Sequence, residues 1–371
     1  MPANTPDLPE PEPLLSQDDR QRGDARNGIA LAALVLGILS VCTCFPVFGL
    51  IAVLLGIIGL IRARALPNQV GRGKAIAGIC CAGVSFVLAP MIVNARSISI
   101  RAVCASNLRG LGQGLKLYAV DNAGWYPVAP FKAGSALVND EMAVSFVGQM
   151  GANLTNPIAP ADEANVHPSR SMFLLVTDDT CTAKQFICPT SDDGEDSLSD
   201  TVGGNVRNCE LGVDRFDFRG YPHVSYGYQL PFGPHARPSE KLAASVAIMA
   251  DKGPFFEAGA PTAAGTVPDR AVAATPPGTP IALAGRTCAE DILSARARVW
   301  RPFNSRNHDG AGQNVLFQDG HVAWYSTPIV GANHDNIYTR QAGHTLEETL
   351  LGKSPEDLRG PLTETDSVIV P

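Results

Sequence analysis

Asn304–Thr327 reads NSRNHDGAGQNVLFQDGHVAWYST. Its second half alternates apolar and polar residues on either side of Asp319-Gly320, a dipeptide that favours a two-residue type I′ hairpin turn. That register sets Phe317 opposite Val322, Val315 opposite Trp324 and Gln318 opposite His321, with apolar pairs on one face. By the same alternation, strands are expected over 223–229 (HVSYGYQ) and 244–251 (ASVAIMAD). The soluble part therefore carries an antiparallel sheet.

A helix is expected upstream of these strands. In ARSISIRAVCASNLRGLGQGLKLYAVDNAGWYP, starting at Ala95, the residues Cys104, Leu108, Leu111, Leu115 and Tyr118 recur at helical spacing and form one face. Gly110, Gly112 and Gly114 each lower helix propensity by about 1 kcal/mol relative to Ala, so tertiary packing must support this stretch. Asp121, Asn122 and Gly124 mark its end. Before it, Ala75–Ala95 is uncharged and about the ~20 residues long that a bilayer span needs. No breaker separates span from helix, although Pro90 is expected to kink it.

Two more apolar runs, 28–41 and 47–61, flank CTCFP and form a helical hairpin, spanning or re-entrant. Gly37, Gly49, Gly56 and Gly59 allow close helix packing within it. A basic loop, 62–74, holds Arg62, Arg64, Arg72 and Lys74, and Arg20, Arg22 and Arg26 precede the hairpin. The positive-inside rule puts both basic segments in the cytoplasm and residues 96–371 outside it, in an inner-membrane, multi-pass arrangement. Residues 1–27 are Pro-rich and polar, and are expected to be a disordered tail. The expected organisation is that tail, a transmembrane region 28–95, a soluble α+β domain 96–345 with a mobile loop 257–287, and a polar C-terminal tail 346–371.

The 371 residues carry a net charge of −7, which argues against nucleic acid as a partner. Cys104, Cys181, Cys188, Cys209 and Cys288 lie in the soluble part. In an exported domain one or two disulfides are plausible, with Cys181–Cys188 the favoured pair and five free thiols the alternative. No CxxC, HExxH, G-x-S-x-G or phosphate-binding loop occurs. A Cys188–His308 nucleophile pair is conceivable, but nothing in the sequence favours it.

The run Cys104-Ala105-Ser106-Asn107-Leu108-Arg109, followed by Leu117-Tyr118-Ala119 and Asp121-Asn122, resembles the helix of planctomycete-type pseudopilin-like proteins. Their prepilin-type processing-associated C-terminal signature is a His, nine residues, then Asp-Gly; here ten residues separate His308 from Asp319-Gly320. Phe186–Pro189, Ser225–Gln229, Ile248–Lys252 and Asp335–Thr339 fit the same family. The resemblance implies a long helix packed on an antiparallel sheet. Residues 27–92 resemble a small bacterial membrane domain of unknown function. The chain departs from pilins before its third span, where Gly71-Arg72-Gly73-Lys74-Ala75 lacks the Phe and Glu of a prepilin cleavage site.

Candidate site residues are His308, Asp319, Gly320 and His321 of the signature, with Asp335 beyond it. His308, Asp319 and Asp335 form the candidate metal set, and the resemblance points to calcium, a hard cation that takes oxygen donors from irregular loops. The bland alternative gives Asp319 to the turn, His321 to a strand face and His308 to a loop cap. The expected function is non-enzymatic: a membrane-anchored pseudopilin-like structural or assembly protein. Membrane lipids, envelope or secretion-system proteins and further copies of the chain are its expected partners. The alternatives are an exported ligand- or calcium-binding sensor module and, behind it, a metal-dependent enzyme.

Overall fold

The computed structural model describes residues 27–43, 46–65, 70–129, 168–196, 198, 217–218, 220–233, 235, 238–258, 271–273, 289–352 and 360–371. The chain divides into two compact units, Met1–Ile98 and Ser99–Pro371. The division falls three residues beyond the expected end of the membrane region.

In the first unit, α1 (Gly28–Thr43) and α2 (Pro46–Ala65) form the expected hairpin, and α3 (Arg72–Asp121) begins beside them. Small residues set the packing distance. A Cβ on Gly37 would lie 2.5 Å from the carbonyl oxygen of Gly78, and one on Gly59 would lie 3.2 Å from Cα of Ala30. Ser40 and Ser85 share a buried hydrogen bond of 2.6 Å, so neither hydroxyl is left unsatisfied among apolar groups. Among the described residues, two helices are long and apolar enough to cross a membrane, Val47–Ala65 and part of Arg72–Asp121. The first, Gly28–Thr43, has 16 residues and falls short of that length.

The helix α3 contributes its last part to the second unit, where the expected face is buried. Cys104, Leu108, Leu111 and Ala119 are fully buried and Leu115 nearly so, with Tyr118 packed at the margin. Burying each leucine contributes roughly 2 kcal/mol, an upper estimate because it assumes an extended unfolded chain. The glycines have a steric reason. A Cβ on Gly112 would come within 2.9 Å of Leu316, and one on Gly114 would collide with the Cys181 sulfur. The helix ends where Gly124, at φ +81°, sends its N–H back to the Ala119 carbonyl.

After α4 (Pro168–Thr177) come β1 (Tyr226–Gln229), β2 (Ala247–Asp251), β3 (Phe256–Ala258), β4 (Ala271–Ala273), α5 (Ala289–Leu293), α6 (Ala297–Trp300), β5 (Gln313–Phe317), β6 (Val322–Tyr325), α7 (Leu346–Leu351) and β7 (Ile369–Val370). The main sheet is antiparallel throughout, in the order β6-β5-β2-β1-β7. Both of its faces are covered. Tyr226, Tyr228, Ile248, Met249, Leu316 and Val322 join the core beneath α3, while Ala247, Ala250, Val315, Phe317 and Ile369 face a second core containing Ile337 and Tyr338. The register slips between Ala247 and Met249, which puts the neighbours Ile248 and Met249 in the same core.

Four expectations need correction. The β5–β6 register pairs Leu316 with Val322 and Asn314 with Trp324, one residue from the expected pairing. Gly320 alone of the turn residues has positive φ, +92°, whereas type I′ needs it at both central positions. Phe317 and His321 close a three-residue loop instead, through N–H to carbonyl bonds from Phe317 to His321 and from Gly320 to Phe317. The loop 257–287 is not wholly irregular, since β3 and β4 pair within it. Residues 346–371 are not a polar tail: Val368, Ile369 and Val370 are buried, and β7 pairs with β1. The expected disordered tail, apart from Asn27, lies outside the described residues, as do most of 190–220 and the remainder of 257–287.

Candidate functional site

The sheet register assembles the site. Tyr226 stands opposite Asp251, and Asn314 stands opposite Trp324. Because Ala250 pairs with Val315, the next step brings Asn314 beside Asp251. Tyr226, Asp251, Asn314 and Trp324 therefore form one cross-strand row on the face beneath α3, since directly opposed residues share a face. Met249 and Asp251, two apart on β2, share that face as well.

Cys104 comes down onto this row from α3. Cys188 arrives from the Cys-Pro loop after the 3-10 helix Ala183–Phe186, and His308 from the 3-10 turn Arg306–His308. Ser305 caps that turn by accepting from the Asn307 N–H, and Asp309 leaves it at φ +55°. Cys104, Cys188 and Asp251 are fully buried and His308 is 7 % exposed. The two sulfurs are 2.6 Å apart, Cys188 Sγ is 3.7 Å from His308 Nε2, and that nitrogen is 3.3 Å from Asp251 Oδ2. All four donor atoms lie within 4.8 Å of one another, so a group able to hold a metal ion is present.

Hydrogen bonds orient each member. His308 Nδ1 faces Thr190 Oγ1 at 3.1 Å, and Thr190 Oγ1 is also 3.2 Å from Cys188 Sγ. Asp251 Oδ2 accepts from the Asn314 N–H at 2.6 Å, and the Tyr338 hydroxyl donates to the Asp251 carbonyl at 2.6 Å. Trp324 meets the imidazole edge-on with ring centres 5.0 Å apart, and Arg101 stacks over Trp324 at 4.1 Å.

Protonation follows from this packing. Hydrogen bonding from Cys104 holds the Cys188 thiol below its ordinary range; burial opposes this and the imidazole assists. The partner thiol of Cys104 is pushed up, first by that same hydrogen bond and then by burial. Burial alone would lower His308, but hydrogen bonds to Asp251 and Cys188 outweigh it and raise the imidazole to about 9.

The arrangement differs from a Cys–His–Asp relay. A Cys–His–Asp relay needs the nucleophile on one ring nitrogen and the carboxylate on the other. Here Cys188 and Asp251 both face Nε2, while Thr190 holds Nδ1. Both sulfurs are buried.

The expected metal set is not brought together. Asp319 is exposed at the hairpin turn, where its carboxylate accepts from the His321 N–H at 2.9 Å and contacts His321 Nδ1 at 2.6 Å. Asp335 is buried elsewhere, accepting from Gln341 Nε2 at 3.0 Å and from the Ser367 N–H at 2.7 Å. Burial, with Asp366 nearby, holds its carboxyl well above the usual range. Only His308 of the three reaches the cluster. Gly320 serves the turn. The expected Cys181–Cys188 disulfide is also corrected: Cys181 is a free thiol packed against Gly114, and Cys188 turns instead to Cys104. Cys209 and Cys288 lie outside the described residues.

Sequence reasoning missed Cys104 and Asp251 as site members. Both sit in segments singled out for other reasons, Cys104 on the apolar helix face and Asp251 at the end of a strand. No residue spacing links them to Cys188 and His308, because the four come from separate elements.

Beside the cluster an open cleft of about 420 Å³ is lined by residues that include Thr190, Asp193, Tyr221, Lys252 and Arg306. Its buried lysine is engaged: Nζ is 2.8 Å from Asp193 Oδ1 and lies 3.8 Å above the Tyr221 ring.

No protein-family model, curated protein or solved structure matches this chain.

Proposed function

We propose that this chain is a non-enzymatic, membrane-anchored, pseudopilin-like structural or assembly protein of the cell envelope or of a secretion system. The observation that carries this reading is α3. One continuous helix, Arg72–Asp121, holds an apolar stretch of membrane-span length and then a buried face, Cys104–Ala119, packed on an antiparallel sheet. That is the arrangement in which a pilin-like domain is carried on its own anchor. The chain resides in the cytoplasmic membrane as a multi-pass protein, with its C-terminal domain outside the cytoplasm. The basic residues around Arg62–Lys74 support that orientation. Its partners are membrane lipids, envelope proteins and further copies of itself.

The test is intact mass and N-terminal peptide mapping of protein extracted from its native membrane, combined with cross-linking in that membrane. A chain beginning near Met1 and cross-linked to itself or to secretion components supports a permanently anchored assembly protein. An uncross-linked monomer opposes it.

A second reading, an exported sensor, draws on one observation, the open polar cleft beside Thr190 and Lys252. Calcium, the ion expected from the resemblance, does not match the cluster at His308, which offers two sulfurs, one nitrogen and a single carboxylate where calcium takes about six to eight oxygens.

A further inference from the structure

We propose that Cys104, Cys188, Asp251 and His308 bind one borderline-soft divalent cation of the zinc type, in a closed structural site that ties α3, the Cys-Pro loop, β2 and the Arg306–His308 turn together. This does not depend on the pseudopilin-like reading.

The donor set selects the ion. Two thiolates, an imidazole and a carboxylate are the ligand types of zinc, while calcium and magnesium take oxygens. Four protein donors without a solvent-facing position are the mark of a structural site rather than a catalytic one. The donors here are all buried.

Distances fit in part and say what must move. Metal–ligand bonds of ~2.0–2.3 Å set at tetrahedral angles put donor atoms roughly 3.3–3.8 Å apart. The His308–Asp251 separation, 3.3 Å, and the Cys188–His308 separation, 3.7 Å, already lie in that range. The two sulfurs, at 2.6 Å, must part by about 1 Å to hold an ion. Rotation of the short thiol side chains supplies that movement, and binding releases the remaining thiol proton together with the proton on His308 Nε2.

The surrounding groups are placed as a metal site needs. With an ion on Nε2, the ring proton of His308 would sit on Nδ1 and be donated to Thr190 Oγ1, 3.1 Å away, so that the Nε2 lone pair faces the other three donors. The Asn314 N–H fixes the Asp251 carboxylate and offsets its charge. A disulfide between Cys104 and Cys188 would account for two of the four groups. It would not account for His308 and Asp251 converging on the same point.

The experiment uses the full-length protein in detergent, reduced, stripped with chelator and titrated with Co²⁺. The expected result is a thiolate-to-cobalt charge-transfer band with tetrahedral visible absorption, saturating at one equivalent and displaced by Zn²⁺. Cys104→Ser and His308→Ala should weaken binding tenfold or more, while Asp319→Ala leaves it unchanged. Because the wild-type titration needs no variant, a variant that fails to fold does not spoil the test. Two outcomes overturn the proposal. One is the absence of the charge-transfer band in reduced wild-type protein. The other is a native-source protein free of zinc whose non-reduced peptide map shows Cys104 bonded to Cys188.

Discussion

Asp251 Oδ2 lies 3.3 Å from His308 Nε2, with the carboxylate fully buried. In metal-free, reduced protein this pair makes stability depend on pH. The imidazole is held at about 9 against ~6.5 in the unfolded chain. A raised pKa means the contribution is complete below the unfolded value and lost as pH climbs through the folded one. The unfolding free energy of the wild type should therefore exceed that of His308→Gln by roughly 3 kcal/mol more at pH 6 than at pH 9.5. Tryptophan fluorescence can follow it, since Trp324 abuts the imidazole. A gap that stays constant or widens with pH would show that Asp251 does not hold the proton on His308.

The hairpin turn makes a prediction of its own. Gly320 sits at φ +92° and closes a three-residue loop. A β-branched side chain there is strained whatever space surrounds it. Gly320→Val should lower the unfolding free energy by about 1–2 kcal/mol. Under a type I′ register Asp319 would also need positive φ, so Asp319→Gly would then stabilise. It should not.

The two registers show where sequence reasoning reaches its limit. The alternation around Asp319-Gly320 located both strands, and the spacing from Cys104 to Leu115 located the buried helix face. A one-residue difference in loop length then changed which side chains of β5 share a face with Val322 and Trp324, because the side-chain period of a strand is two. Val315 and Phe317, expected opposite Trp324 and Val322, belong instead to the second core. The candidate site fared similarly. His308 was legible as a residue of interest, but its partners are set by strand pairing and by the bulge at Ala247–Met249, and neither leaves a local signal. The strand Ile369–Val370 is two residues long, too short for periodicity to mark it.

The membrane unit can be tested through Ser40 and Ser85, whose hydroxyls are 2.6 Å apart. Cysteines placed at both positions, in a chain lacking Cys42, Cys44, Cys80 and Cys81, should form a disulfide in high yield under mild oxidation. Gly78→Leu should abolish it. A Cβ on Gly78 would lie 2.6 Å from the Ala33 backbone, which cannot yield as a flexible side chain would. Undiminished cross-linking in Gly78→Leu would mean that the helices do not approach there.

Tyr338 links the second core to the site. Its hydroxyl, fully buried, donates to the Asp251 carbonyl at 2.6 Å. Tyr338→Phe keeps the ring and removes one hydrogen bond, leaving that carbonyl short of a donor. A loss of about 1–2 kcal/mol is expected in denaturant unfolding, with no change in the slope because the buried area is nearly conserved. A much smaller loss would mean that water replaces the hydroxyl.

Removing Ser367–Pro371 should do more damage than any of these single substitutions. The segment looks dispensable from its position at the chain end, yet it performs three separate tasks. Ile369 and Val370 complete the sheet by pairing with Gln229 and Tyr228. The Val368 N–H donates to Gln229 Oε1 at 2.9 Å, and Leu230 returns a backbone bond to the Val368 carbonyl. The Ser367 N–H donates to Asp335 Oδ2 at 2.7 Å, so its loss strips a donor from a buried carboxyl already disfavoured as an anion. Losing three buried apolar side chains alone costs several kcal/mol, at about 2 kcal/mol each. The truncated chain should therefore accumulate in an open, protease-sensitive form, measured by pulse proteolysis of membranes bearing the full-length and shortened proteins. If the shortened protein resists protease as the full-length one does, the C-terminal strand is not part of the folded sheet in solution.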